Sequence, residues 1–413
     1  MFDVGISGNI IYALIFIALY FEVFMLVSFL EKRTKKYAVN PSASDAVYTP
    51  RTCVVVPCFN EAHALSSTID SIFALQYPSG MLEIIVVDDG STDSTLSIAR
   101  QYEKSKQVRI FHKENGGKYT ALNLALANTD AELIGCLDAD STVDKDALMR
   151  IVSAFKNKDI SAVTPGIHVK KPGNALQHLQ NAEYNLSVFN RFMLAALGSV
   201  FITPGPFSIY RTQVVRDLGG WHHGHFTEDM ELALRMQTKG HKIANAPAAS
   251  VYTAAPKTFA GLFHQRVRWT YGFLRNIVDY RFMFGNRSYG NLGLIILPTA
   301  LLSIGTGIYF FLRIVLDAVK NLHDLFSRIQ ITGSFPHPSF DLFYLNTSVL
   351  WLVMLVAVML VLVLISTGSW ISTGKRMLPY GTPLFIIFYG FLVPVWISAA
   401  VFRAIFRTGV RWR

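Results

Sequence analysis

Four long apolar runs stand at the two ends of this chain, and none lies between them. Residues 9–30, roughly 292–316, 342–366 and 381–402 are each long and apolar enough to cross a bilayer, whereas no stretch between residues 30 and 290 is. This spacing predicts a folded domain of about 220 residues held between one span and three. Only Glu22 interrupts the first run, and the cluster Glu31-Lys32-Arg33-Thr34-Lys35-Lys36 follows it at once. A secretory signal carries its basic residues ahead of a shorter apolar core, so this run reads as an anchor, with Lys32 to Lys36 and the domain after them in the cytosol. Counting outward then puts Arg403, Arg407, Arg411 and Arg413 on the far side, against the preference of basic residues for the cytosolic face. Either one run is re-entrant or interfacial, or the first helix dictates the orientation. Glu22 and Arg313 are ionisable positions inside these runs; they line a path through the bundle, or Arg313 simply snorkels at a helix end.

The chain of 413 residues is 51% hydrophobic with a formal net charge of +10. Much of that charge flanks the apolar runs, where it meets lipid headgroups, so the excess does not argue for nucleic-acid binding. Cys53, Cys58 and Cys136 fall in or beside predicted strands at spacings that match no zinc motif, and they read as small reduced core residues.

Residues 37–51, with Pro41 and Pro50, read as a linker, after which strands and helices alternate. Strands are expected at 52–57, 83–87, 108–112, 133–137, 161–169 and 248–253. Helices are expected at 62–75, with Leu65, Ile69, Ile72 and Phe73 on one face, and at 92–104, 118–128 and 144–155. A long aromatic and amide-rich helix at 174–197 lies on the membrane surface or against the acceptor path, or serves as plain packing. An amphipathic helix ends at Lys239, and a basic aromatic segment, 258–284, leads toward the membrane. Such alternation predicts a mostly parallel sheet covered on both faces, with its working edge at the carboxyl ends of the strands.

Polar residues collect at that edge. Leu133-Ile134-Gly135-Cys136-Leu137 ends in Asp138-Ala139-Asp140-Ser141, two hard carboxylates able to face one cavity. Such a pair suits Mg²⁺ or Mn²⁺ together with substrate phosphates, or it is a solvated polar turn. Asp88-Asp89-Gly90-Ser91 either holds a base or ribose or caps a helix. Gly116-Gly117-Lys118 offers a flexible turn and a cation for a diphosphate, without Walker spacing. Asp229, beside Glu228 and near His222, His223 and His225 in sequence, is a general base or a helix cap. Gln265-Arg266-Val267-Arg268-Trp269 combines an amide, guanidinium groups and an indole, suited to phosphate and sugar or to a membrane interface.

Read in order, Asp88-Asp89-Gly90-Ser91, Asp138-Ala139-Asp140, Thr227-Glu228-Asp229 and Gln265-x-x-Arg268-Trp269 resemble the signature of processive family 2 glycosyltransferases, the membrane-embedded synthases of cellulose, chitin, hyaluronan and poly-N-acetylglucosamine. The resemblance covers about residues 52–275 and includes Lys118 in Gly-Gly-Lys-x-x-Ala-Leu-Asn. It implies a GT-A-like, Rossmann-like α/β domain in the cytosol joined to a transmembrane helical bundle. The implied division is an anchor at 1–36, a linker at 37–51, the catalytic domain at 52–256, interfacial helices at 257–290 and C-terminal spans at 291–413. By the same resemblance, Pro57, Glu61, Asp88 and Asp89 hold the uridine of a UDP-sugar, with Gln265 also on the donor side. Lys118 faces the diphosphate, Asp138 the nucleotide and the metal, and Asp140 the metal, Mg²⁺ or Mn²⁺. Asp229, flanked by Glu228, deprotonates the acceptor, and Arg268 stabilises departing UDP. Trp269 stacks beneath the acceptor sugar, and Gly205 and Pro206 of Pro204-Gly205-Pro206-Phe207 leave room for the chain end.

No domain follows the last apolar run, so the cyclic-di-nucleotide module of bacterial cellulose synthases is not expected. The implied activity is elongation of a β-linked polysaccharide from a UDP-sugar, UDP-N-acetylglucosamine first, with export through the bundle and accessory export subunits admitted as partners. The alternatives are a hyaluronan-type synthase that also uses UDP-glucuronate, and a non-processive ceramide or diacylglycerol glucosyltransferase acting on a lipid acceptor.

Overall fold

The computed structural model describes residues 6–33, 48–105, 107–335 and 349–406. Most of the expected linker and three of the four tail arginines, Arg407, Arg411 and Arg413, lie outside these residues. Chain order is α1 (Ile6–Arg33), β1 (Thr52–Cys58), α2 (Leu65–Phe73), β2 (Leu82–Asp88), α3 (Thr95–Arg100), β3 (Val108–His112), α4 (Lys118–Ala127), β4 (Leu133–Cys136), β5 (Thr142–Val143) and α5 (Ala147–Ala154). There follow β6 (Ile160–Val169), α6 (Ala175–Ala196), β7 (Ile209–Arg211), α7 (Thr212–Asp217), α8 (Glu228–Thr238), β8 (Lys242–Thr253), α9 (Phe259–Asp279), α10 (Leu297–Thr332), α11 (Val349–Thr373) and α12 (Thr382–Phe406).

The strands form one sheet in the order β3-β2-β1-β4-β7-β6-β8-β5. β1 pairs in parallel with both β2 and β4, and β2 with β3, which makes the first half a parallel, doubly wound unit. Strand order reverses at β1, so a crevice opens beyond the carboxyl ends of β1 and β4. Alternate side chains feed two cores. Val54, Val56, Ile84 and Val86 pack with Leu65, Ile69 and Ile72 on one face. Cys53, Val55, Ile85 and Val87 pack with Leu122, Trp221 and Leu232 on the other. Burial on both faces is why these strands read as unbroken apolar runs. All three cysteines are free and buried.

The second half is mixed, because β7 is inserted antiparallel to β4 and β6. Its close approach requires Gly135: a Cβ there would lie 2.1 Å from Ile209 Cδ1 and 2.8 Å from Ser208 O. Some helices are shorter than their patterns suggest, α3 covering six residues and α5 starting at Ala147. Thr68 belongs to the buried face of α2, and Phe73 is instead exposed, stacked on Tyr102. β8 is twice the expected length, since its first half pairs with β6 despite the polar start.

Among the described residues, four helices are long and apolar enough to cross a membrane: Ile10–Glu31, Leu292–Thr332, Trp351–Thr373 and Thr382–Phe406. The second is longer than its apolar run, because a π-helical turn at Leu292–Ile296 leads into 36 α-helical residues that continue through an amphipathic stretch to Thr332. α6 is a packing helix, with Phe189 and Met193 against Met25, Phe29 and Leu364 and with Leu179 and Ala182 against Ile365 and Phe385. α12 rests on the domain at both ends, through Phe385 on α6 and through Trp396, Ile397 and Ala400 on Leu262, Val267 and Tyr271 of α9. Glu22 Oε2 is buried with no partner among the described residues, while Arg313 pairs along its own helix with Asp317 at 3.7 Å.

α11 reaches α6 where Gly368 faces Asn185 O, only 2.0 Å from where a Cβ would stand. Small residues allow such close helix contacts. Gly368→Val is expected to lower stability by about 1–3 kcal/mol through overpacking, read as a lower thermal midpoint in detergent.

Candidate active site

The loops after β1 and β2 are fastened together. In the first, Asn60 takes a left-handed conformation (φ 56°), its N–H donates to Ser91 Oγ at 2.9 Å, and its side-chain oxygen accepts from Thr92 N at 2.9 Å. Glu61 N donates to Thr95 Oγ1 at 2.8 Å. Pro57, buried at the end of β1, is thereby set beside Asp88 and Asp89.

The two aspartates do different things. Asp88 is fully buried, with Oδ2 at 2.7 Å from His112 Nδ1 and Oδ1 without a partner among the described residues. Asp89 is saturated: it accepts from Gly116 N (3.0 Å), Gly117 N (2.8 Å) and the Lys113 ammonium (2.5 Å). It therefore shapes the glycine turn, with Gly117 at φ 88°, that opens α4 at Lys118.

Lys118 is the meeting point. Its ammonium donates to Asp138 Oδ1 at 2.5 Å and lies 3.2 Å from Glu228 Oε1. Burial lowers its pKa, but Asp138 and Glu228 more than reverse this, and the group stays charged. Gly205 closes over the pair: a Cβ there would lie 2.4 Å from Lys118 Nζ and 3.2 Å from either Asp138 oxygen. The turn that brings it there depends on Phe207, buried with φ 64°, whose N–H donates to Cys136 O at 2.5 Å. A left-handed phenylalanine stores strain of a kind that clusters at functional sites.

Asp140, two residues beyond Asp138, accepts from Ser141 Oγ at 3.1 Å. Burial, and then the charges of Asp138 and Glu61, push its pKa up to about 6. Two carboxylates that repel one another in a mostly closed crevice fit a hard divalent cation. Among the described residues no third His, Cys, Asp or Glu joins them in a closed cage. Mg²⁺ commonly binds in this way, one or two carboxylates being completed by the ligand's phosphates.

Glu228 and Asp229 open α8, where the helix dipole favours acids. Asp229 Oδ1 accepts from Met230 N at 2.8 Å, and burial followed by the Glu228 charge raises its pKa to about 6. The preceding loop is held by α9: Asn276 Nδ2 donates to Thr227 Oγ1 (2.9 Å) and Gly224 O (3.0 Å), and a Cβ on Gly272 would lie 2.4 Å from Thr227 Oγ1. The neighbouring histidines have other partners. His225 lies 2.7 Å from Asp279 and His222 3.6 Å from Glu231, and His223 packs edge-on against Tyr119.

α9 also carries Gln265, Arg268 and Trp269. Gln265 Oε1 is buried with no partner among the described residues, Arg268 is half-buried, and Trp269 is 36% exposed. Sequence reasoning did not single out Arg266. It is buried, donates to Glu183 Oε2 of α6 at 2.7 Å, and covers the Trp269 ring at 4.3 Å. Tyr184 and, from α12, Tyr389 stand against this pair. Glu183 and Arg266 are 83 residues apart, and no local pattern announces their pairing.

Residues 50–272 match the model of a family described as "Glycosyltransferase like family 2". The chain is 31% identical over 222 residues to a poly-beta-1,6-N-acetyl-D-glucosamine synthase from Staphylococcus epidermidis, and 30% identical over 222 residues to one from Staphylococcus aureus strain COL. Each match covers 53% of this chain and 53% of the relative, so the chain spans about half the length of these curated relatives. A solved mannosyltransferase from Pyrobaculum calidifontis, in complex with GDP-Man and Mn²⁺, shares the fold with a TM-score of 0.58. That match covers 96% of this chain and 99% of the other at 20% identity.

Removing one member of a buried ion pair strands the other. Glu183→Ala is expected to cost about 3 kcal/mol of stability, measured by thermal or denaturant unfolding, with Trp269 emission altered because Arg266 loses its anchor.

Proposed function

Because this chain belongs to the family 2 glycosyltransferases by its match over residues 50–272, we propose that it is an inverting hexosyltransferase that extends a β-linked polysaccharide from a UDP-sugar at the membrane. The observation that carries the reading is the meeting of Lys118 with Asp138 and Glu228 beneath Gly205, at the switch point of the sheet. A cation set among carboxylates, beside a turn with no room for a side chain, suits a diphosphate that leaves while its sugar is transferred. The names of the Staphylococcus relatives favour UDP-N-acetylglucosamine as donor.

In this reading residues 52–256 are catalytic, 257–290 interfacial, and the rest anchor and bundle. The catalytic domain faces the cytosol, by the basic cluster after α1. Uridine is held near Pro57, Glu61 and Asp88, whose Oδ1 has no partner among the described residues, and Asp89 contributes by fixing the glycine turn. Lys118, Gln265 and Arg268 serve the donor, and Gly205, Pro206 and Trp269 serve the acceptor. Asp138 and Asp140 would hold Mg²⁺ or Mn²⁺, which when bound supplies charge neutralisation for the diphosphate.

Asp229 takes the proton of the acceptor hydroxyl as that oxygen attacks the anomeric carbon from the face opposite UDP. The bond from the anomeric carbon to the diphosphate oxygen breaks, and configuration inverts. With its pKa raised to about 6, Asp229 is largely deprotonated at neutral pH and is a stronger base than an ordinary aspartate. Lys118 and Arg268 stabilise charge on the departing diphosphate. Export of the growing chain through the bundle completes the proposal.

The direct test is purified protein in nanodiscs with Mg²⁺ or Mn²⁺, a panel of radiolabelled UDP-sugars and product sizing. A long polymer from UDP-N-acetylglucosamine is expected; a single-sugar lipid product would refute polymer synthesis. Asp229→Asn should cut transfer by about 10²–10⁴ while donor binding, read by calorimetry, persists. The pH–rate profile should fall on the acid side near pH 6, where Asp229 gains its proton. Glu228→Gln removes the neighbouring charge that raises this pKa, so the residual activity of that variant should show the limb at lower pH.

A further inference from the structure

A groove of about 360 Å³ opens between α1 and the domain-proximal half of α11, lined by Leu26, Leu30, Met359, Val363, Trp370 and Arg376 among others. Its volume is within the range of about 300–1,000 Å³ typical of ligand sites. Along α11 its lining is ordered. Met359 and Val363 are apolar, Ser366 and Thr367 bring hydroxyls, and Trp370 follows; Arg376 lies just beyond the helix end, its guanidinium 5.6 Å from the Trp370 ring centroid. Met359 and Trp370 are eleven residues apart, a rise of about 16 Å on a helix. Residues 374–381 carry Lys375 and Arg376 and no carboxylate. Leu30, Met359 and Val363 are 52%, 61% and 41% exposed, so the described residues do not fill the groove.

We propose that this groove is a binding site for one anionic phospholipid, its acyl chain lying along Leu26, Leu30, Met359 and Val363 and its headgroup phosphate meeting Arg376. The order of the lining, hydrocarbon, hydroxyl, indole and guanidinium, repeats the order of acyl chain, glycerol ester and phosphate in such a lipid. Aromatic and basic side chains take these levels at membrane surfaces, and a negative headgroup complements the Arg376 guanidinium. Bound there, the lipid fills the angle at which α1 leaves the bundle, since α1 packs on α6 and α11 through Phe21, Met25 and Phe29 while Phe16 and Tyr20 are exposed.

The test uses the full chain in phosphatidylcholine nanodiscs, to which phosphatidylglycerol or phosphatidylcholine with dibrominated acyl chains is added as a minor component. Quenching assigned to Trp370 is the difference between the unmodified protein and Trp370→Phe. Half-quenching is expected at about fivefold less brominated phosphatidylglycerol than phosphatidylcholine, one basic residue near the surface giving roughly that preference. High salt should erase the preference in the unmodified protein, Arg376→Gln should equalise the two lipids, and Val363→Phe should weaken quenching by both. Equal quenching by both lipids in the unmodified protein overturns the site, as does a preference that survives both high salt and Arg376→Gln. Capture of a polypeptide instead of lipid by photocrosslinking from position 363 also overturns it. Every readout is of binding, so the result stands apart from the transferase proposal.

Discussion

One ammonium group holds the crevice together electrically. Asp138 and Asp140 arrive on the loop after β4, Glu228 and Asp229 on the first turn of α8, and burial makes Asp140 and Asp229 costly to ionise beside their charged neighbours. Lys118 lies between the two segments and offsets part of that cost at both. Its own position is not free to vary. Asp89 fixes the glycine turn before it, and Gly205 leaves no space for it to move upward. The sheet, the loops after β1 and β2 and the strained turn at Phe207 all bear on where that one nitrogen sits.

Much of this was legible because the sheet is buried on both faces, so its strands appear as continuous apolar runs that stop abruptly at charged residues. Asp88, Asp138 and the start of α4 are visible for that reason. β7 was invisible as a strand: three residues carry too little pattern, and its antiparallel insertion rests on the absence of a side chain at Gly135. The supports of the Thr227–Glu228 loop were equally hidden, since Gly272 and Asn276 look like ordinary helix residues until α9 is placed beneath the loop. Arg266 looked interfacial within its basic, aromatic segment; only the position of Glu183 makes it an internal tie.

The apolar helices are more than a tether for the domain. α11 meets α6 with backbones in contact at Gly368, and α12 lies across both α6 and α9, close to the Arg266–Glu183 pair. The helix that bears Trp269 is thus braced from the membrane side by α12 and from the sheet side by Thr227. A shift of α12 relative to the sheet bears on the residues that fix α9, and α9 touches the loop before Asp229. Chemistry at the strand ends and packing among the apolar helices therefore share one set of contacts.

α10 runs without interruption for 36 residues, about 54 Å at the usual rise per residue, whereas a bilayer's hydrocarbon core is about 30 Å thick. Its last sixteen residues, from Asp317 onward, extend the membrane segment by roughly 24 Å in one continuous rod. A rod of that kind acts as a lever arm. A change in tilt of about 10°, well inside the range that bilayer thickness alone imposes on such helices, sweeps the tip sideways by roughly 4 Å. The far end of α10 thus magnifies small changes in the membrane around its base.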